Sequence, residues 1–229
     1  MRYPLKFLAK KNYFSSNSDF RKWRAFGYNV AISPGGIVYK AYRQGTHSSP
    51  EGYSEFLPKS QNLATLPVDM NAKVIRYKAI VGKHFATNTN EVLAIVKKLE
   101  HIHKKGKVHG DLRQANVVYN HSQPELSDLI DYDYIHYECY PDFFNEVDDA
   151  MRHGGATGGA QKEKSHDCYS LAGLLKWHTC GHDKWLDFCA LVEKGDLKEA
   201  ISLFCNTGLS NQPLSHCGPE VKDPGTGSP

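Results

Sequence analysis

The sequence predicts an α+β fold in two lobes, a small β-rich N-terminal lobe and a mostly helical C-terminal lobe packed compactly together. Three observations predict it. Two β-prone runs, Tyr28–Ser33 and Gly36–Arg43, flank a Ser-Pro-Gly-Gly turn at residues 33 to 36. Apolar residues then recur at helical spacing from about Asn90 to Lys105. Further helical runs fill the chain from about Asp167 to Phe204. Strands first and helices later is the order of an α+β protein. The expected organisation is a β-rich lobe over residues 1–85, a helical lobe over 86–205 and a Gly, Pro, Ser and Asn-rich tail over 206–229.

After the Ser-Pro-Gly-Gly hairpin, a Gly, Ser and His-rich loop covers Gln44–Pro50, and Glu51–Leu63 reads as a short helix. Met70–Phe85 holds the β-prone residues Val74, Ile75, Tyr77, Ile80 and Val81, which predict one or two strands. The clearest helix places Val92, Ile95, Val96, Leu99 and Ile102 on one stripe, with Lys97, Lys98, Lys104 and Lys105 on other faces. Asn88, three residues before Glu91, offers a capping pair, and Gly106 supplies a left-handed stop. Two short runs follow, Val117–Tyr119 and Asp128–Tyr134. Helices are then expected over about Asp167–His178, with Leu171, Leu174, Leu175 and Trp177 as apolar positions, over Lys184–Lys194, and over Leu197–Phe204.

A chain of 229 residues with 40% apolar and 11% aromatic content can bury a real core. A net charge of +3, spread along the chain, is not the dense basic face that nucleic acid would require, so no nucleic-acid partner is expected. No run approaches the roughly 20 apolar residues that span a bilayer, so no membrane partner is expected. Met1–Lys11 is basic with a short apolar run and does not read as a secretory signal. Cys139, Cys168, Cys180, Cys189, Cys205 and Cys217 are far apart, which favours reduced thiols and an intracellular location. His178, Cys180 and His182 lie close together, but no second ligand pair follows at zinc-finger spacing, and a structural metal is not expected there.

The segment that carries chemistry is Val108-His109-Gly110-Asp111-Leu112-Arg113-Gln114-Ala115-Asn116-Val117-Val118-Tyr119, followed by Leu129-Ile130-Asp131-Tyr132-Asp133. Phosphoryl transfer from a nucleotide needs a carboxylate to orient the acceptor hydroxyl, oxygen ligands for Mg²⁺, and a cation beside the developing charge. Asp111 suits the first role, Asn116 and Asp131 the second, and Arg113 the third. A tight loop from Asp111 to Asn116 would face both ends to one site, and the following hairpin would return Asp131 beside them.

The His-x-Asp-x-x-x-x-Asn set followed by an apolar-apolar-Asp strand resembles the catalytic loop and metal-binding motif of protein kinases, so the expected fold is protein-kinase-like. Leu93–Gly106 resembles the helix that leads into that loop. His166-Asp167-Cys168-Tyr169-Ser170-Leu171 resembles the start of a later helix, whose aspartate braces the catalytic loop; read alone, Asp167 is a plain N-cap, a compatible role, and the motif context favours the brace. The resemblance implies that His109 packs and hydrogen-bonds beneath the loop. His-Gly-Asp also occurs in small-molecule kinases of the aminoglycoside phosphotransferase type. The run LIDYDYIHYECYPDFFNEVDDAMRH, followed by SHDCYSLAGLL, most resembles the kinase-like domain of Crinkler-type effectors, with its Ile-Asp-aromatic-Asp, Tyr-Pro, Arg-His and His-Asp-x-Tyr elements.

The resemblance implies ATP and Mg²⁺ as cofactors and a strand lysine that holds phosphates through an ion pair with a helix glutamate. Lys40 is the candidate lysine, with Glu55, or Glu51, as its partner; Lys59, Lys73 and Lys78 are weaker candidates. Phe26-Gly27-Tyr28 is at most a remnant of a glycine-rich phosphate loop. Gly110 stands where protein kinases carry arginine, which implies no switching by loop phosphorylation. Asp133, in place of the usual glycine, is either a second metal ligand or a solvated strand residue. Asp128, Asp148 and Asp149 read as solvated charges, and Tyr132 as a core residue. The expected activity is phosphoryl transfer to Ser or Thr hydroxyls of a protein substrate. The alternatives are a pseudokinase or nucleotide-binding interaction module, and a small-molecule kinase. The Crinkler resemblance also implies a secreted effector acting inside a host cell or its nucleus.

Overall fold

A computed structural model of the chain describes residues 24–26, 29–43, 50–69, 72–142, 152–179, 183–209 and 214. Gly27, Tyr28, most of the loop over residues 44–50, Asp148, Asp149, Cys180, His182, Cys217 and nearly all of the tail lie outside the described residues. The fold is α+β, with an antiparallel sheet first and helices after it.

Among the described residues five strands form that sheet in the order β1-β2-β3-β5-β4: β1 (Arg24–Phe26), β2 (Val30–Ile32), β3 (Ile37–Arg43), β4 (Ala64–Asp69) and β5 (Ala72–Lys78). The Ser-Pro-Gly-Gly turn joins β2 to β3 as its residues demand, with the Gly36 amide donating to Ser33 O at 3.0 Å and Gly36 itself at φ 71°. Along β3, Val38, Lys40 and Tyr42 share one face by the two-residue strand period and lie opposite Tyr77, Ile75 and Lys73 of β5. Strand β4 was not anticipated. Pro67 interrupts its pattern, and a sheet edge is where proline is tolerated, since no outer neighbour needs its missing N–H.

Between β3 and β4 lies α1 (Glu51–Phe56), shorter than the expected helix over Glu51–Leu63. Pro58 forces the preceding residue out of the helical region, and Leu57 is extended at φ −69°, ψ 134°. Gly52 brings α1 against the 3-10 turn Tyr132–Tyr134 so closely that a Cβ would stand 2.6 Å from Tyr132 O. That contact aligns the inner face of α1 with the aspartates of the motif.

Helix α2 (Thr89–Lys104) is the scaffold of the second half. Its N-terminus carries a full capping box: Asn88 Oδ1 accepts from the Asn90 and Glu91 amides, and Glu91 reaches back to the Asn88 amide. Val92, Ile95, Val96, Leu99 and Ile102 are fully buried, each contributing about 1.5–3 kcal/mol on burial. The short strands β6 (Val117–Val118) and β7 (Asp128–Leu129) form an antiparallel hairpin. Helices α3 (Lys164–His178), α4 (Asp183–Lys194) and α5 (Leu197–Asn206) pack in succession, α3 on α4 and α4 on α5, and α5 returns to α2, with Leu171, Leu174, Leu175, Phe188, Val192 and Phe204 in the shared core. His178 is buried here with its ring against Tyr119. The described cysteines, Cys139, Cys168, Cys189 and Cys205, are free thiols.

Candidate active site

The loop after α2 is held by a buried carboxylate. Asp167, inside the first turns of α3, accepts from the His109 amide through Oδ2 at 2.7 Å and from the Gly110 amide through Oδ1 at 2.9 Å. His103 Nε2 also meets Oδ2 at 3.0 Å. Burial alone would raise this carboxyl, but the His103 hydrogen bond and the charges around it hold it below the usual range. Asp167 therefore sits in the bracing position and not at the N-cap, which is Glu163. Its partner Gly110 adopts φ 81°, a conformation that disfavours any side chain.

His109 is fully buried beneath the loop, its ring 5.6 Å from that of Tyr132. The neutral Nε2–H tautomer satisfies both of its contacts, donating to Ile130 O at 3.0 Å and accepting from the Asp111 amide at Nδ1 at 3.3 Å. Burial lowers its pKa, in keeping with that neutral form. The loop thus presents Asp111 with a fixed backbone. Asn116 Nδ2 donates to Asp111 O at 2.8 Å and to Asp111 Oδ2 at 2.7 Å, and Arg113 Nε lies 3.4 Å from Asp111 Oδ1. Burial raises the Asp111 carboxyl to about 6, against the opposing charge of Arg113.

The β6–β7 hairpin returns the chain to this point. Ile130 donates to Asn116 O at 2.9 Å, and the next residue, Asp131, has a left-handed backbone at φ 68°, ψ 62°. A non-glycine residue there carries about 1–2 kcal/mol of strain, of the kind that collects at functional sites. The turn directs Asp131 to Lys40, whose Nζ lies 2.5 Å from Asp131 Oδ1 and 2.7 Å from Asp133 Oδ2. Tyr53 OH is 3.1 Å from the same nitrogen. Asp133 Oδ1 accepts from Tyr42 OH at 2.8 Å and Tyr53 OH at 3.2 Å. Burial would lower Lys40, yet the two carboxylates hold it well above its ordinary value. Asp131 is held below the carboxylate range by Lys40, despite burial that acts the other way. Burial takes Asp133 up to about 6.

The structure thus brings Asp111, Arg113, Asn116, Asp131 and Lys40 to one site and places His109 and Asp167 beneath it. Glu55 is not part of it. It is exposed on α1 and pairs with Lys105 Nζ at 3.2 Å and His136 Nε2 at 3.7 Å. The reason is helical geometry: Glu51 and Glu55 each stand two residues, about 200°, from Tyr53, which is the residue that faces Lys40. Asp133 is not a solvated strand residue but a buried partner of Lys40. Asp128 is likewise buried, with Lys98 Nζ at 2.9 Å and the Tyr132 hydroxyl at 3.2 Å, and not a solvated charge. Tyr132 is fully buried, as expected.

Sequence reasoning missed Tyr42, Tyr53 and Lys162. Tyr42 lies two residues after Lys40 on one strand face, a signal that strand periodicity supplies. Lys162 has no such signal. Its Nζ donates to Val108 O at 3.1 Å and, at close range, to Tyr134 O, and its side chain covers Gly110, where a Cβ would meet it at 3.0 Å. Burial lowers its pKa to about 8. Lys162 thereby ties the segment after the hairpin to the loop that carries Asp111, assisted by its own amide donating to Glu138 O at 2.7 Å. The Tyr-Pro and Arg-His elements meet nearby: the rings of Tyr140 and His153 both stack on His166, with centroids at 5.7 Å and 4.7 Å.

Asp131 and Asn116 offer hard oxygen donors of the type Mg²⁺ selects, and Asn116 spends its amide N–H groups on Asp111, which leaves the amide oxygen as acceptor. Among the described residues no three His, Cys, Asp or Glu side chains form a metal cluster, so a cation here would share ligands with Asn116 and phosphate oxygens.

No protein-family model and no curated protein matches the chain. Among solved structures, that of vaccinia related kinase 3 is similar, with 13% identity and a TM-score of 0.45 over 80% of this chain and 71% of that one.

Proposed function

We propose that this chain is a phosphotransferase that moves the γ-phosphoryl group of Mg-ATP to a hydroxyl, with Ser or Thr of a protein as the acceptor. The observation that carries the reading is the convergence of Asp111, Asn116, Asp131 and Lys40 on one site, each anchored by a buried partner. Asp111 orients the acceptor hydroxyl and takes its proton as the acceptor oxygen bonds to phosphorus. The bond from the γ-phosphorus to the β–γ bridging oxygen breaks, and ADP leaves with its electron pair. Arg113 and Lys40 stand where they meet negative charge on the transferred and remaining phosphates. A bound Mg²⁺, held by Asn116 and Asp131, supplies further neutralisation of that charge.

One observation supports a second reading, a nucleotide-binding interaction module without turnover: all three donors of Lys40 already have partners. The His-Gly-Asp motif supports a third, a small-molecule kinase. The Crinkler-type motif run supports placing the protein as an effector that works inside a host cell or nucleus.

The test is transfer of labelled γ-phosphate from Mg-ATP, comparing wild type with Asp111→Asn and Asp131→Asn. Generic proteins, the chain itself and aminoglycosides are offered as acceptors. Transfer to protein that both substitutions abolish is the expected result. Transfer only to the small molecules selects the third reading. Nucleotide binding without transfer selects the interaction module, and absence of both refutes the proposal.

A further inference from the structure

Lys40 Nζ has three N–H groups and three close oxygens: Asp131 Oδ1 at 2.5 Å, Asp133 Oδ2 at 2.7 Å and Tyr53 OH at 3.1 Å. No donor is left for a phosphate unless one partner leaves. The two carboxylates are not equivalent. Asp133 has 7% of its side chain exposed, and its other oxygen is held by the Tyr42 and Tyr53 hydroxyls. Releasing Lys40 would leave that carboxylate buried with two neutral donors and no charge partner, a costly arrangement. Asp131 has 28% of its side chain exposed and stands on the side of Asp111 and Arg113, where a cation and phosphates would enter. No carboxylate of α1 competes for Lys40, because Tyr53 occupies the face that Glu51 and Glu55 turn away from.

We infer that Asp133, braced by Tyr42 and Tyr53, is the standing counter-ion and positioning residue of Lys40, while Asp131 is an exchangeable one that Lys40 gives up when a nucleotide binds. The inference rests on the proposed nucleotide site and adds how its lysine is built. On arrival of a nucleotide, Asp131 turns from Lys40 to the cation, and the N–H it vacates turns to phosphate. Asp133 and Tyr53 keep the ammonium in place throughout. Since both aspartates belong to one turn, packed on α1 through Gly52, the lysine site is assembled with the metal-binding turn.

Two measurements on the full chain test this. The first is acylation of Lys40 by a pulse of acetic anhydride, read by mass spectrometry without nucleotide. Asp133→Asn should raise labelling by about tenfold, the worth of one buried charge-assisted hydrogen bond, whereas Asp131→Asn should raise it by less, within about threefold, because water reaches the 28%-exposed Asp131 position and replaces the lost partner. Tyr42→Phe, which removes one donor to Asp133 and keeps every charge, should raise labelling severalfold; it carries the comparison if Asp133→Asn fails to fold by circular dichroism. The second is ATP affinity with and without Mg²⁺. Asp133→Asn should weaken both about tenfold, and Asp131→Asn should remove only the gain that Mg²⁺ brings. Equal labelling of the two aspartate variants, or a Tyr42→Phe rate equal to wild type, overturns the inference. If wild type binds no ATP, the proposed function fails, and the labelling series still decides which carboxylate holds Lys40.

Discussion

Replacing Asp167 by asparagine tests the brace beneath the His109–Asn116 loop by exchanging one carboxylate oxygen for an NH₂ group with almost no change of volume. Asp167 is 2% exposed and receives the His109 amide at 2.7 Å, the Gly110 amide at 2.9 Å and His103 Nε2 at 3.0 Å. An asparagine keeps one acceptor oxygen. Whichever way its amide is turned, an NH₂ group faces a buried backbone N–H, which loses its partner. One charge-assisted hydrogen bond is worth about 1.5–3 kcal/mol, and an unsatisfied buried amide adds about 1 kcal/mol or more, so the loss is about 3 kcal/mol. For a chain of this size that lowers the thermal midpoint by about 6–12 °C. Differential scanning calorimetry measures it directly. In the transfer assay, kcat should fall while KM for ATP stays near wild type, because Asp167 contacts the loop backbone and not the Lys40 cluster. A midpoint within about 2 °C of wild type would refute the reasoning, as it would mean that the loop amides find other partners.

Asp111 makes activity pH-dependent: with its carboxyl raised to about 6, the ionised form that accepts a proton is lost as pH falls below that value. Turnover should hold above pH 6 and drop about tenfold per unit below it, measured as a pH–kcat/KM profile. Gly110→Ala places a Cβ at φ 81° and 3.0 Å from the Lys162 side chain, so urea unfolding should show a loss of about 1–3 kcal/mol. Lys98→Met leaves Asp128 buried without its charge partner, and the same assay should show a loss of about 3–5 kcal/mol; a loss below about 1 kcal/mol would contradict the buried pair.

Much of the second half was legible because its signals are local. The stripe Val92, Ile95, Val96, Leu99 and Ile102 and the Asn88–Glu91 box lie within one helix, and α2 runs over Thr89–Lys104 as that pattern requires. The motif from His109 to Asn116 and the aspartate at 131 fall within one loop and one hairpin, so their meeting follows from short-range geometry. Errors came where a residue's surroundings are remote in sequence. Asp128 reads as a charge in a polar stretch, yet Lys98, 30 residues away, buries it. Strand β4 is an edge strand with a proline and no clear alternation, and only pairing with β5 defines it.

By itself, the sequence determined that strands precede helices, the capped helix that leads into the loop, and five of the groups that meet at the site, Lys40, Asp111, Arg113, Asn116 and Asp131. Periodicity, capping and turn chemistry act over a few residues, and a single chain displays them. Only the tertiary structure decided which partners those groups take. Lys40 and Asp131 are 91 residues apart, and their contact depends on the register of β3 on β5 and on the left-handed turn at Asp131. The close approach at Gly52 then decides that α1 offers Tyr53 and not Glu55. A one-residue change in any of these would turn a different side chain to Lys40, because strand faces alternate and a helix advances 100° per residue.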